Sequence, residues 1–344
     1  MPFQSGTSSK KNHIIPSSTA SSIHRCEKSL YKYLECKLRS LFIIEEIRIF
    51  EEKRYIMDYN SKEAQEEITR IIKNALREDV GDGDHSSLSC IPDTAIGKAR
   101  LLVKDDGILA GVAFAKAVFH EVDPTLQIDV RIEDGSPVKY GDEAFYVTGS
   151  SQSILKAERL ALNAMQRMSA IATKTKNFVD VLEGTKTQIL DTRKTTPGMR
   201  MLEKWAVVIG GGVNHRFGLY DVIMLKDNHI DFAGGVSKAI QKTKQYLKDT
   251  NRDLKIIVEA RDLEEIKEIL TNQGVYRILI DNFNYENTRK AVALIGDQCL
   301  TESSGGITLD TARKYAECGV DFISSGALTH SVYNLDLSLK AVHE

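Results

Sequence analysis

The chain has 344 residues, 42% of them apolar, enough for a substantial buried core and two domains of ordinary size. Its 46 Lys and Arg against 48 Asp and Glu leave a formal charge of -2, which excludes a general nucleic-acid binder and makes any basic chemistry local. Cys26, Cys36, Cys90, Cys299 and Cys318 form no CxxC or metal-ligand spacing, and the longest membrane-like run, Leu41-Phe42-Ile43-Ile44, is far short of a span, so the expectation is a soluble protein of a reducing compartment.

Residues 1–25 contain no acid and many serines, whereas 27–56 are dense in Lys, Arg and Glu. A Ser-rich, acid-free start resembles an organellar transit peptide, yet Arg25 is its sole arginine and no cleavage signal follows. The plainer expectation is a cytoplasmic protein whose compact part begins near Met57, with 1–56 a disordered extension or the product of a start codon assigned too early.

Ala64, Ile68, Ile71, Ile72 and Ala75 fall at helical spacing between Ser61 and Arg77, with Ser61 as N-cap, and Gly81-Asp82-Gly83-Asp84 ends the helix. Four β-type runs follow, at Lys98–Val103, Gly107–Val112, Gln127–Ile132 and Ala144–Thr148, punctuated by turn residues. Ser153 to Asp180 reads as one long helix, on which Arg159, Asn163 and Gln166 share a polar stripe that either meets a ligand or faces solvent. These elements make an α+β sandwich over 57–170, on which a C-terminal helix at 331–344 is expected to pack.

From residue 188 apolar runs alternate with helical stretches, and each run ends in polar chemistry. Ile189-Leu190 leads to Asp191-Thr192-Arg193-Lys194, Val222-Ile223-Met224-Leu225 to Lys226-Asp227-Asn228-His229, and Ile256-Ile257-Val258 to Glu259. Ile278-Leu279-Ile280 leads to Asp281-Asn282, Leu300 to Thr301-Glu302-Ser303-Ser304-Gly305-Gly306, and Phe322-Ile323 to Ser324-Ser325-Gly326. With helices near 234–248, 262–272, 285–295 and 308–317, this is a parallel βα pattern. Reactive groups at successive strand ends favour an incomplete TIM-like α/β barrel over 171–330, since a closed ring aims them at one mouth.

Arg193, Lys194, His215, Arg216 and Lys226 all fall at that mouth. So many cationic groups at one rim repel unless an anion sits among them, which predicts a substrate with several carboxylates or phosphates; ordinary pairing with Asp191, Glu203 and Asp227 is the bland alternative. Ser303-Ser304-Gly305-Gly306 before a helix, and the Gly326 turn on the next strand, suit phosphate. Gly210-Gly211-Gly212 ahead of His215 is weaker, since a flexible loop explains it equally. Glu259 and Asp281 would hold Mg²⁺, bind sugar hydroxyls or stabilise positive charge. His85, His120 and His330 lack partner spacing and are assigned to packing or surface.

Asp191-Thr192-Arg193-Lys194-Thr195-Thr196-Pro197-Gly198, Gly210-Gly211-Gly212-Val213-Asn214-His215-Arg216 and Lys226-Asp227-Asn228-His229 closely resemble the quinolinate phosphoribosyltransferases. The likeness extends over about 60–342 and includes Glu78-Asp79, Glu158-Arg159, Ser304-Gly305-Gly306 and Gly326-Ala327-Leu328. It implies a type II phosphoribosyltransferase fold and conversion of quinolinate and phosphoribosyl pyrophosphate to nicotinate mononucleotide, pyrophosphate and CO2, on the route to NAD. It also implies a homodimer with shared active sites, in which Arg159 from the partner joins Arg193, His215, Arg216 and Lys226 on quinolinate. Thr192 belongs to the same substrate site. Lys194, Glu259, Asp281, Ser304, Gly305, Gly306 and Gly326 would hold phosphoribosyl pyrophosphate with its Mg²⁺, the first three as the catalytic set, and His229 would support Lys226. The stretch between Asp281 and Glu302 is short for the family, and 1–56 has no counterpart. The rival readings are a paralogous phosphoribosyltransferase acting on another carboxylated heterocycle, such as the molybdenum-associated relative, and a non-catalytic phosphate-metabolite binder.

Overall fold

A computed structural model describes residues 58–342, so Cys26, Cys36, the Leu41–Ile44 run and both readings of 1–56 lie outside the described residues. Helix α1 (Lys62–Val80) starts where expected, with the Ser61 hydroxyl accepting the Ala64 amide at 3.2 Å. It buries Ala64, Ile68, Ile71 and Ile72. A short helix not foreseen, α2 (His85–Cys90), is capped by Asp84.

Strand β1 (Ile96–Val103) precedes the main departure from expectation. The run 107–112 is extended only at β2 (Gly107–Ile108), and from Val112 the chain is helical, α3 (Val112–Val122). Gly111 takes a left-handed φ of 96°, and the Asp134 carboxylate accepts the Val112 and Ala113 amides at 2.8 and 3.1 Å. That cap comes from a distant loop, so no local signal marked the helix start. Then follow β3 (Gln127–Val130), β4 (Pro137–Val138, paired with β2), β5 (Glu143–Ser150) and α4 (Ser151–Leu182). The expected division at 170/171 falls inside this one continuous helix.

The barrel strands are β6 (Gln188–Leu190), β7 (Ile223–Leu225), β8 (Ile256–Ala260), β9 (Arg277–Asp281), β10 (Leu300–Ser304) and β11 (Phe322–Ser324). All pair in parallel, in the order β6-β11-β10-β9-β8-β7. Helices α5 (Arg200–Ile209), α6 (Asp227–Ala233), α7 (Val236–Asp249), α8 (Leu263–Leu270), α9 (Tyr285–Ile295), α10 (Leu309–Ala316) and α11 (Ala327–His330) connect or follow them. Val213 adds a single parallel bridge to Leu190, and Arg216 Nη1 donates to the Val222 carbonyl at 3.2 Å. Among the described residues no ladder joins β7 back to β6, so the barrel is incomplete.

Strand alternation sorts the side chains. Ile189, Ile256, Val258, Ile278, Ile280 and Ile323 face the helices within the main core, whereas Leu190, Leu300 and Phe322, and Val222, Met224, Ile257 and Leu279, form two small interior clusters. Further along the same faces come Glu259, Asp281 and Ser324, each two residues on, and Glu302 and Ser304, two and four residues past Leu300, which the alternation therefore directs at the mouth.

The C-terminal helix expected at 331–344 is not formed: Leu337–Ala341 is a strand, β12, paired antiparallel with β1 with Leu339 opposite Leu101. Leu337 and Leu339 are buried and Ser338 half-buried, the period of two that favours a strand. An antiparallel sheet β12-β1-β5-β3 results, with α4 packed on it and α3 packed on α4, where Phe119 of α3 meets Phe145 of β5 edge to face.

Candidate active site

A cavity of about 670 Å³ opens at the strand ends. Thr192, Arg193 and Lys194 line it after β6, His215 and Arg216 from the glycine loop, and Lys226 after β7. Asp281, Ser304, Gly305, Gly306 and Gly326 line it from β9, β10 and β11.

The cationic side rests on a buried support. Lys204 and Asp191, both with no side-chain exposure, form an ion pair. Asp191 also accepts the His215 amide at 2.8 Å and the Asn214 side-chain amide at 2.7 Å, and Tyr59 donates to Asn214 Oδ1 at 2.9 Å. Burial pushes the Asp191 carboxyl up and the Lys204 ammonium down, each opposed by its partner's charge. Glu203 is likewise buried, against Arg167. Asp191 and Glu203 are thus engaged below the rim, which counts against reading the rim cations as surface pairs with these acids. Burial, and then the nearby charge of Arg193, hold the Arg216 guanidinium below its ordinary value.

His215 lines the cavity and contacts protein groups through its ring. Its Nδ1 accepts the Arg216 amide at 2.7 Å, and its Nε2 meets Glu302 at 3.2 Å. Both ring nitrogens are therefore occupied by protein. Arg277 reaches the same Glu302 oxygen at 3.0 Å. Burial raises the Glu302 pKa, but His215, Arg277 and Ser324 outweigh it and hold it down to about 2.

Across the cavity, the Ser304 hydroxyl donates to Asp281 Oδ1 at 2.7 Å and Asn282 Nδ2 to Oδ2 at 2.6 Å. Asn282 and Gly305 are both left-handed, with φ of 57° and 97°. A Cβ on Gly305 would lie 2.1 Å from Asn282 Oδ1, so this loop needs glycine. Glu259 is not in the cavity wall; it sits beside it, 7% exposed, 3.4 Å from Lys226 Nζ. His229 Nδ1 accepts the Lys226 amide at 3.1 Å, consistent with a supporting part.

One expectation is corrected here, the shared polar stripe of Arg159, Asn163 and Gln166. Arg159 lies in a separate cavity of about 290 Å³ with Glu78, Asp79 and Asn163, away from the mouth of its own chain. Gln166 does not join that stripe: its amide donates to the Leu337 carbonyl at 3.0 Å and ties α4 to the start of β12. His330, assigned to packing or surface, lines the main cavity, and a Cβ on Gly326 would come within 3.1 Å of its ring. His85 pairs with Asp82 at the surface and His120 is exposed, as expected.

Glu302, Asn282, Ser324 and Ser325, read from the sequence as polar strand ends without individual roles, and Thr308 also stand in the cavity wall. The signal for Glu302 and Ser324 was present: each lies two residues past an inward-facing apolar residue. For His330 it was the helical i, i+4 relation to Gly326.

Two family models match, "Quinolinate phosphoribosyl transferase, C-terminal domain" over residues 171–340 and its N-terminal domain counterpart over 84–169. The chain is 44% identical over 289 residues to the mitochondrial decarboxylating quinolinate phosphoribosyltransferase 2b of Nicotiana tabacum, covering 80% of this chain and 82% of that one. It is 46% identical, with the same coverage, to the chloroplastic carboxylating nicotinate-nucleotide pyrophosphorylase of Arabidopsis thaliana. Among solved structures, NadC from Streptococcus pyogenes superposes with a TM-score of 0.75 at 37% identity, over 80% of this chain and 97% of that one.

Proposed function

The chain belongs to the quinolinate phosphoribosyltransferase family, and we propose from its own side chains how the family's reaction is divided within the cavity. The enzyme is a pentosyltransferase that converts quinolinate and 5-phosphoribosyl 1-pyrophosphate to nicotinate mononucleotide, pyrophosphate and CO2 in de novo NAD biosynthesis. The observation that carries the division is the two-sided wall: Arg193, Arg216 and Lys226 on one side, Ser304, Gly305, Gly306 and Asp281 on the other.

Arg193, Arg216 and Lys226 grip the quinolinate carboxylates, with Thr192 beside them. His215 acts through its ring nitrogens, holding the Arg216 amide and Glu302. The amides of Ser304-Gly305-Gly306, the Gly326 turn and Lys194 take the phosphate groups, and His330 stands at the same end. Departure of pyrophosphate with the C1–O electron pair leaves a cation-like ribose carbon. Glu259 and Asp281 stabilise it while the quinolinate nitrogen supplies the new bond. The bond to the 2-carboxylate then breaks into the cationic ring, CO2 leaves, and a proton fills C2.

Magnesium belongs to the proposal. Among the described residues no group of three or more His, Cys, Asp or Glu side chains comes together, so the protein would supply Glu259 and Asp281, and substrate phosphates the remaining oxygens. Held there by Glu259 and Asp281, Mg²⁺ would supply positive charge toward the substrate phosphates.

Arg159 supports a homodimer, because its cavity lies apart from the mouth it is expected to complete. For location we propose the cytoplasm. No helix among the described residues is long and apolar enough to cross a membrane. The acid-free residues 1–25, and relatives named mitochondrial or chloroplastic, support an organellar address as the alternative, which fractionation of the full-length protein decides.

Incubation with quinolinate, phosphoribosyl pyrophosphate and Mg²⁺ should yield equimolar CO2 and nicotinate mononucleotide. Absence of product at every enzyme concentration would remove the assignment. Turnover of another carboxylated heterocycle in its place would favour the paralogous reading, and tight substrate binding without turnover a binder.

A further inference from the structure

Arg167, in the middle of α4, touches no wall of the cavity, yet it joins the two loops that carry Lys194 and His330. Its Nε and Nη2 donate to one oxygen of Glu203 at 3.1 and 2.9 Å, and the other Glu203 oxygen accepts the Thr196 amide at 3.1 Å. Nη2 also donates to the Thr329 carbonyl at 2.5 Å, and reaches the Thr196 hydroxyl at 3.4 Å. The chain of bonds then closes on itself, because the Thr329 hydroxyl donates to the Lys194 carbonyl at 2.8 Å. Glu203 and Thr329 have no exposure, and the Arg167 side chain retains 22%.

We propose that Arg167 is a positioning residue that sets the distance between Lys194 and the turn Gly326–His330, and so shapes the phosphate end of the cavity. Three segments distant in sequence meet at its one planar fork: the Thr196 loop through Glu203, α11 through Thr329, and α4 itself. Close packing leaves no slack there, since a Cβ on Gly326 would stand 2.8 Å from Lys194 Cδ. A lysine offers one compact ammonium in place of the fork and can satisfy Glu203 or the Thr329 carbonyl with poorer geometry for both. Arg216, assigned to quinolinate, follows a residue held by a different support, the Asp191–Lys204 pair, and Lys226 pairs with Glu259; Arg167 hydrogen-bonds to none of these. The inference rests on assigning Lys194, Gly326 and His330 to phosphoribosyl pyrophosphate.

The experiment is the separate KM for each substrate in Arg167→Met, Arg167→Lys and Thr329→Val, with binding of phosphoribosyl pyrophosphate alone followed by calorimetry. Thr329→Val keeps the shape and deletes only the link to Lys194, so it serves if Arg167→Met does not fold. Arg167→Met should raise the KM for phosphoribosyl pyrophosphate roughly ten- to a hundredfold, with the quinolinate KM within about twofold of wild type. Arg167→Lys should recover part of the loss, and Thr329→Val should shift the same constant by a smaller factor. Equal changes in both KM values, or a fall in kcat alone that follows the loss of folded protein, would overturn the proposal. Lys194→Ala separates the layers: if it leaves phosphoribosyl pyrophosphate binding intact while Arg167→Met weakens it, the assignment of Lys194 fails and the clamp stands on His330.

Discussion

Lys204 and His215 are joined main chain to side chain: the buried ammonium donates to the His215 carbonyl at 2.9 Å, while its ion-pair partner Asp191 accepts the His215 amide at 2.8 Å. One buried pair therefore fixes the peptide groups on both sides of a cavity-lining residue and, through the next amide, Arg216. The support is costly to halve. Lys204→Met leaves a buried carboxylate without its cation and should lower unfolding stability by about 3–5 kcal/mol. Asp191→Asn with Lys204→Met should recover most of that, and chemical denaturation of the two variants reads the difference.

Glu302 supplies a pH signature. Its pKa is lowered from 4.5 to about 2 in the folded chain, so its contribution to stability is present above 4.5 and disappears as pH falls toward 2. Glu302→Gln should therefore be less stable than wild type at neutral pH, and the gap should narrow across that acid window. Denaturant midpoints measured at several pH values check this; a gap constant with pH would show that the carboxylate charge is not what stabilises.

The two loop glycines should respond unequally. Both are left-handed, but a Cβ on Gly305 strikes Asn282 while one on Gly306 meets open space. Gly306→Ala should cost only the backbone term, about 1–2 kcal/mol. Gly305→Ala adds displacement of Asn282 from Asp281, and should weaken phosphoribosyl pyrophosphate binding at least roughly tenfold more, a factor worth about 1.4 kcal/mol. Thermal unfolding and calorimetric binding separate the two costs.

Assembly gives the fourth expectation. If Arg159 serves a neighbouring copy, inactive Arg159→Ala and inactive Lys194→Ala chains, mixed and allowed to exchange, should regain activity, because one of the two shared sites in a mixed pair is intact. A mixture that stays inactive after exchange, verified by tagged subunits, would count against a shared site.

The barrel and its rim were legible because local pattern and tertiary role coincide there: an apolar strand followed by polar residues is buried and then reaches the mouth. What escaped was decided by partners far along the chain. Helix α3 begins at amides capped by Asp134 from another loop, so its apolar start read as strand. Leu337–Ala341 was taken for helix although Leu337 and Leu339 alternate, and pairing with β1 decided the matter. Arg159 and Gln166 shared a stripe in sequence, yet Gln166 binds the Leu337 carbonyl, and helical spacing alone cannot say which neighbour each turn meets. His330, assigned to packing or surface for want of a spaced partner, is exposed and meets the Ser331 hydroxyl at 2.6 Å, yet it also lines the cavity.

The return of β12 to β1 has a bearing on how the chain is made. The first strand of the N-terminal sheet emerges from the ribosome early, but the neighbour that covers its free edge, Leu337–Ala341, is translated only after every barrel strand. Until then β1 offers an uncovered row of amides and carbonyls to any passing chain. Synthesis order thus makes the last strand among the described residues the one that seals the N-terminal sheet, and truncation just before Leu337 would leave a barrel with its phosphate loops and an N-terminal sheet with an adhesive edge.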